Sequence, residues 1–275
     1  MNNNYKYVII VPNYNNDHGN ISGKTYLANC IESILKQTYK DFVLIIVDDC
    51  STDSSLLTIE KYMDDDRLVL IKNKRKRYNG GSRNVGIEYA LDNIDFDYFC
   101  FVDSDDWWID GKVLFEINNS LDNHELMLLG YKIIKDLNNK YSETRLNNAD
   151  EYIDLFDLNG AVLCSAWSKV IRKDKIVYFC EDTLMEDRVW SYKLADNIDF
   201  DNIINLKEIV YCWNRLNSTS VSNGYTSFWK ACSYCHIGHF SQFLSQIKHK
   251  ELLPVLEERL EKCKELVNSG IYTQY

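Results

Sequence analysis

Residues 98–108 read Tyr98-Phe99-Cys100-Phe101-Val102-Asp103-Ser104-Asp105-Asp106-Trp107-Trp108, an apolar run that passes without a break into three carboxylates and two tryptophans. A continuous rather than alternating run is how a strand covered on both faces reads. The same signature stands upstream at residues 8–11, 42–47 and 68–71. Helical patterns fill the gaps. Leu27, Cys30, Ile31, Ile34 and Leu35 follow the i, i+3, i+4, i+7, i+8 template, and Ile87, Ala90, Leu91 and Ile94 repeat its first four positions. Strands alternating with helices in this rhythm predict an α/β fold with right-handed crossovers and a mostly parallel sheet flanked by helices.

Ligands bind such sheets at the carboxyl ends of the strands. Three polar clusters fall there: Pro12-Asn13-Tyr14-Asn15 after the first strand, Asp48-Asp49-Cys50-Ser51-Thr52-Asp53 after the second, and Asp103–Asp106 after the fourth. No Gly-rich turn follows the first strand, which excludes a dinucleotide fingerprint and a P-loop. A bound phosphate would therefore need another source of positive charge. A divalent ion, Mn²⁺ or Mg²⁺, held by Asp103, Asp105 and Asp106 supplies it, since these cations favour carboxylates shared with diphosphate oxygens.

Past Trp107 the rhythm loosens. The pattern predicts a helix over 111–121, a strand at Leu126–Ile134, a short helix over 149–156 and a strand over 167–171. A helix at Glu186–Ala195, a strand over 209–213 and a helical tail from 225 to 267 broken at Pro254 follow. Apolar residues make up 45% of the 275, enough to build a sizeable core. The 31 Lys and Arg are outnumbered by 41 Asp and Glu, and a net charge of −10 argues against a nucleic-acid partner. No stretch approaches the roughly 20 apolar residues that cross a bilayer. The odd set of nine cysteines, scattered through apolar segments, reads as reduced thiols, and the expected compartment is the cytoplasm.

The ordered set of motifs resembles glycosyltransferase family 2. It comprises Pro12-x-Tyr14-Asn15, Tyr26-Leu27-x-x-Cys30-Ile31-x-Ser33-Ile34-Leu35-x-Gln37-Thr38 and Val47-Asp48-Asp49-x-Ser51-Thr52-Asp53. It continues through Ser82-Arg83-Asn84-x-Gly86, the Val102–Trp108 run, Trp167-x-Lys169 and Met185-Glu186-Asp187, ending at Asn214-Arg215-x-Asn217-Ser218-x-Ser220. The resemblance implies a GT-A fold over residues 1–222, with a nucleotide-sugar half to about 110 and an acceptor half beyond. A helical extension, 223–275, would follow. It also implies a nucleoside diphosphate sugar donor, a UDP-sugar by the residues at the base site. A glycan, lipid-linked or protein acceptor and inversion at the anomeric carbon complete the expectation. The acceptor class brings with it peripheral contact with the cytoplasmic face of a membrane, and the helical tail is the expected surface for self-association.

Carried over residue by residue, the resemblance puts Pro12, Tyr14 and Asp49 on the nucleotide base and Arg83 beside the nucleotide. Asp103 and Asp105 form the Asp-x-Asp pair on ribose and metal, with Asp106 adjacent. Asp187 becomes the general base, with Glu186 as its rival, and Arg215 with Ser218 or Ser220 faces the diphosphate. Two features depart from the family pattern: segment 16–23 is longer than usual, and residues 72–77 are strongly basic, which reads first as a solvated turn and alternatively as a cationic rim beside the site.

Plainer readings compete. Asp49 can be a helix cap, and Glu186-Asp187 suits the positive end of a helix dipole. A nucleotidyltransferase or a non-catalytic nucleotide-sugar binding module would use the same sheet edge. Cys232-x-x-Cys235-His236 matches a haem-attachment pattern, yet 232, 235, 236 and 239 also form one helical stripe, which is the preferred reading.

Overall fold

The computed structural model describes residues 4–74, 77–134, 142–145, 165–181, 186–217, 227–250 and 253–268. The first four strands, β1 (Tyr7–Asn13), β2 (Phe42–Asp48), β3 (Leu68–Lys72) and β4 (Tyr98–Phe101), pair in the order β3-β2-β1-β4 and are all parallel. Alternate β1 residues enter opposite cores. Val8 and Ile10 join one cluster; Tyr7, Ile9 and Val11 join the other. Both faces of the strand are thus buried, which is why its sequence runs apolar without alternation.

On one face lies α1 (Tyr26–Leu35), which buries Leu27, Cys30, Ile31 and Ile34. Thr25 opens it, its hydroxyl accepting from Ala28 N at 3.3 Å. Just beyond its end the fully buried Gln37 donates to Asp110 O and accepts from Leu114 N, tying in α4 (Val113–Ser120). On the other face lies α3 (Tyr78–Asn93), which follows the short α2 (Ser55–Glu60). Here Gly86 is a packing requirement: a Cβ would stand 2.7 Å from Ile10 Cγ2. Overpacking of that kind typically costs about 1–3 kcal/mol.

The second half of the sheet is mixed. β8 (Lys169–Arg172) runs antiparallel to β4 and to β6 (Leu126–Ile134); β9 (Ile203–Asn214) lies parallel to β6. The two-residue β5 (Trp107–Trp108) closes the far edge against β9, and β7 (Ser142–Arg145) pairs with β6. Helices α5 (Glu186–Ala195), α6 (Ser227–Gln246) and α7 (Leu253–Asn268) follow. Phe240, Phe243, Leu244, Leu256 and Leu260 of the last two share the cluster that holds Val8 and Ile10.

Several element expectations need correction. Residues 166–168 form a 3₁₀ turn before β8 starts, because the Ser165 carbonyl collects the Ser168 hydroxyl and the Lys169 ammonium. α3 begins nine residues before the apolar pattern at Ile87. The tail breaks between α6 and α7, not at Pro254, which sits in the first turn of α7, where a missing N–H has no helical partner to lose. The expected helix over 149–156 lies outside the described residues.

Candidate active site

Because β1, β2 and β4 are parallel, their carboxyl ends open on one edge, and the N-terminal ends of α3 and α5 face it. Pro12 is buried at the end of β1, and Tyr14 beyond it is 40% exposed. Asp49, only 3% exposed, accepts from Asn73 Nδ2 at 2.9 Å, Arg77 N at 2.7 Å and Tyr78 N at 2.8 Å. It is therefore a helix cap, but of α3, not of the helix that follows it. These bonds also hold Tyr78 at φ 58°, a left-handed backbone that a bulky residue rarely adopts. A carboxylate offers about four lone-pair sites, so one remains for a ligand donor.

Arg83 projects from α3 beneath the site and is 3% exposed. Its Nη2 meets Asp103 Oδ1 at 2.6 Å and its Nη1 meets Glu186 Oε1 at 2.6 Å. Burial works against its charge, but the two carboxylates outweigh it and raise its pKa further. The link between the Asp103 turn and α5 is one that sequence reasoning missed. Gly80 makes it geometrically feasible, since a Cβ there would lie 2.3 Å from Cys180 O and 3.0 Å from Glu186 Cβ. Asn84 fixes the neighbouring chain by bonding both Phe179 O and Phe179 N.

The three acids after β4 have separate surroundings. Asp103 is partly open, with a side-chain exposure of 28%. Asp105 accepts from Asn217 Nδ2 at 2.8 Å through Oδ2. Asp106 is buried, with Oδ2 on the Tyr211 hydroxyl at 2.6 Å and Oδ1 on Asn214 N at 2.7 Å. Tyr211 also accepts from Asp103 N at 3.2 Å, so β9 holds the turn from below. The structure thus brings Asp103 and Asp105 to the edge and commits Asp106 to the sheet. Among the described residues no three His, Cys, Asp or Glu side chains are grouped to hold a metal by themselves. Two carboxylates, each with one oxygen outside these bonds, do fit Mg²⁺ or Mn²⁺, which commonly take one or two carboxylates plus substrate phosphates.

Glu186 and Asp187 open α5, where acids also suit the helix dipole. Glu186 is buried on Arg83, whereas Asp187 is half-buried. Burial pushes Glu186 up to about 7, with Arg83 pulling it down and Asp187 adding to the rise. Burial also raises Asp187, opposed by Arg83, Arg188 and Lys169. Lys169 is fully buried, its ammonium 5.6 Å from the Trp190 ring centroid. Arg215 stacks its guanidinium 4.9 Å from the Trp213 ring centroid. Ser218 and Ser220 lie outside the described residues. Of the basic segment, Lys72 reaches Glu60 and Arg77 reaches Glu181, both at 3.5 Å.

Asp105 is raised from 3.8 to about 6 by burial and by Asp103. A carboxyl raised in the folded state lends stability that is complete below its unfolded pKa and lost as pH rises through the folded value. With Asp105 at about 6, that loss falls between about pH 4 and 6. The unfolding temperature should therefore drop by a few degrees from pH 5 to pH 8, and Asp105→Asn should flatten the drop. Thermal melts that rise over that interval would contradict this account.

The family model described as glycosyl transferase family 2 matches residues 8–178. UDP-Glc:alpha-D-GlcNAc-diphosphoundecaprenol beta-1,3-glucosyltransferase WfgD of Escherichia coli is 32% identical over 133 residues, 48% of this chain and 48% of that protein. Poly(ribitol-phosphate) beta-N-acetylglucosaminyltransferase TarS of Staphylococcus aureus is 28% identical over 234 residues, 81% of this chain and 38% of that protein. The chain spans about half the length, or less, of these curated relatives. A TarS structure in complex with UDP-GlcNAc superposes with a TM-score of 0.64 at 22% identity, covering 86% of this chain and 66% of that one. A Pyrobaculum calidifontis mannosyltransferase with GDP-Man and Mn²⁺ gives 0.60 at 12% identity, covering 98% and 76%. These two likenesses show the GT-A type of α/β fold.

Proposed function

Because the chain belongs to glycosyltransferase family 2, we propose that it transfers a sugar from a UDP-sugar to an acceptor hydroxyl by a metal-dependent inverting displacement. One observation carries this reading: Asp49 and the Asp103–Asp105 pair open on the same sheet edge, and Arg83 ties Asp103 to Glu186, the neighbour of Asp187 at the start of α5. Asp49 has one acceptor site left for the base. Asp103 and Asp105 would hold Mn²⁺ or Mg²⁺ against the diphosphate. When bound, the ion stabilises the charge that develops on the departing diphosphate. Asp187 takes the acceptor proton as the new glycosidic bond forms and the anomeric carbon–oxygen bond breaks.

The acceptor we propose is a sugar hydroxyl of a lipid-linked or polymeric glycan, the class that the names of the WfgD and TarS relatives carry. Such an acceptor would bring the enzyme to a membrane face; none of the described helices is long and apolar enough to cross one. We assign catalysis to residues 1–222. The helical remainder braces the helix of the base: Tyr192 stacks on Phe240 at 5.1 Å and accepts from Arg259 at 2.8 Å. Incubation with a panel of nucleotide sugars and lipid-linked or polymeric glycan acceptors tests the reading. Release of a nucleoside diphosphate with a glycosylated product supports it; release of pyrophosphate would replace it with nucleotidyl transfer.

Donor choice is testable at Asp49. A carboxylate only accepts, and uracil N3–H donates where cytosine has no N–H. A hydrogen bond to a charged group is worth about 1.5–3 kcal/mol, so UDP should bind at least about tenfold more tightly than CDP by calorimetry. Tighter binding of CDP or GDP than of UDP would overturn the uridine assignment.

A further inference from the structure

The segment after β1, residues 16–24, is an ordered brace. Its ends are tied by Tyr26 N on His18 O at 2.9 Å, Asp17 N on Asp53 Oδ2 at 2.9 Å and the Thr25 hydroxyl on Asp17 Oδ1 at 2.8 Å. Ile21 and Lys24 exchange both backbone bonds, at 2.8 and 3.1 Å. Gly19 sits at φ +75°, and a Cβ there would stand 2.3 Å from the Tyr26 ring, so the path requires glycine. The His18 ring in turn lies edge-on to Tyr26, centroids 5.4 Å apart.

This brace reaches the acids of β4 through two asparagines. Asn16 Nδ2 donates to Ser104 Oγ at 2.6 Å, and Asn16 Oδ1 accepts from Asn217 Nδ2 at 3.3 Å. The same Asn217 amide donates to Asp105 Oδ2 at 2.8 Å, while Asn217 Oδ1 lies 3.0 Å from His18 Nε2. The orientation of Asn217 is fixed, because turning the amide over would set its oxygen against a carboxylate. Its Oδ1 must therefore accept, and His18 Nε2 must carry the proton.

We propose that His18 is a positioning residue for Asp105, acting through Asn217, so that segment 16–24 is part of the donor site. The proposal rests on the donor-site reading above. His18 restrains the Asn217 amide and Asn217 restrains one oxygen of Asp105, so that the other oxygen would be held ready for an ion. Neighbouring Ser104 accepts from Asn16, so the two linked asparagines hold the turn at two successive residues. Carboxylates that ligate a metal are themselves usually hydrogen-bonded, and removing such an outer partner commonly weakens metal affinity.

The test uses the full chain with two variants: His18→Phe keeps a ring without a donor, and His18→Gln restores one. In ligand-free, ¹⁵N-labelled protein the Asn217 side-chain amide, assigned by its loss in Asn217→Asp, should exchange slowly. His18→Phe should accelerate that exchange about tenfold and His18→Gln should retain the slow rate. With donor and acceptor, His18→Phe should raise the Mn²⁺ concentration for half-maximal transfer about fivefold, the equivalent of one ordinary hydrogen bond. His18→Gln should restore it to within about twofold, and UDP binding without metal should be unchanged in both. An Asn217 amide indifferent to His18→Phe overturns the proposal. So does an accelerated amide with an unaltered Mn²⁺ requirement. Full turnover in Asp105→Asn would instead overturn the donor-site reading.

Discussion

Asp187→Asn is expected to lower turnover by about 10²–10⁴-fold, the range of a positioned general base, while leaving UDP affinity nearly unchanged. An acceptor hydroxyl is a weak nucleophile near neutral pH and needs its proton taken as the bond forms. The two acids at the start of α5 differ in their freedom to do this. Glu186 is 5% exposed, with Oε1 held by Arg83 at 2.6 Å, whereas Asp187 is half-buried. Burial raises the pKa of Asp187, which makes its carboxylate a stronger base. Asparagine keeps the volume and loses the basicity, so the effect should fall on turnover. Glu186→Gln removes half of a buried ion pair and leaves Arg83 under-compensated, so it should lower the unfolding temperature as well as activity. Steady-state kinetics with calorimetry of UDP separates the two. Normal turnover in Asp187→Asn with a dead Glu186→Gln would exchange their roles.

How much of this was readable in advance depended on the range of the interaction. The runs at 8–11, 42–47 and 98–102 mark their strands because both faces are buried, the edge run at 68–71 is partly covered on both, and Leu126–Ile134 and Glu186–Ala195 have the bounds the sequence predicts. The apolar pattern leaves out the start of α3 because its first turns, Tyr78 to Asn84, carry glycines and polar residues in place of apolar ones. Its start is set by Asp49, nearly thirty positions upstream in the chain, and periodicity cannot report such a bond. The same holds for Arg83 between Asp103 and Glu186, and for Asn217 on Asp105. The sequence groups Asp106 with its neighbours because it follows them in the chain. Its actual partners, Tyr211 and Asn214, lie on a strand over a hundred residues away. Motif spacing puts these acids at the carboxyl ends of the parallel strands, where the structure has them; how they are bonded is a tertiary property.

Asp105→Asn is expected to reduce transfer by at least about 10²–10³-fold, the usual loss when one group aimed at developing transition-state charge is removed. Excess chelator should abolish transfer, and Mn²⁺ or Mg²⁺ should restore it. The physical ground is that Asp105 pays an electrostatic cost in the free protein. Burial and the nearby Asp103 carboxylate raise it to about 6, and the Asn217 amide compensates only in part. A bound divalent ion removes that cost, since it favours both carboxylates in their charged form. Asparagine is nearly isosteric and cannot be charged. The substitution should therefore raise the unfolding temperature at pH 8 while it removes activity. A residue held for folding alone would lose stability on substitution, so the two effects moving in opposite directions mark a group kept for function. Asp106→Asn should behave otherwise, because its carboxylate accepts from Tyr211 and from Asn214 N; there an amide leaves a buried donor mismatched and lowers stability. Transfer that continues undiminished in excess chelator would remove the ion from the reaction.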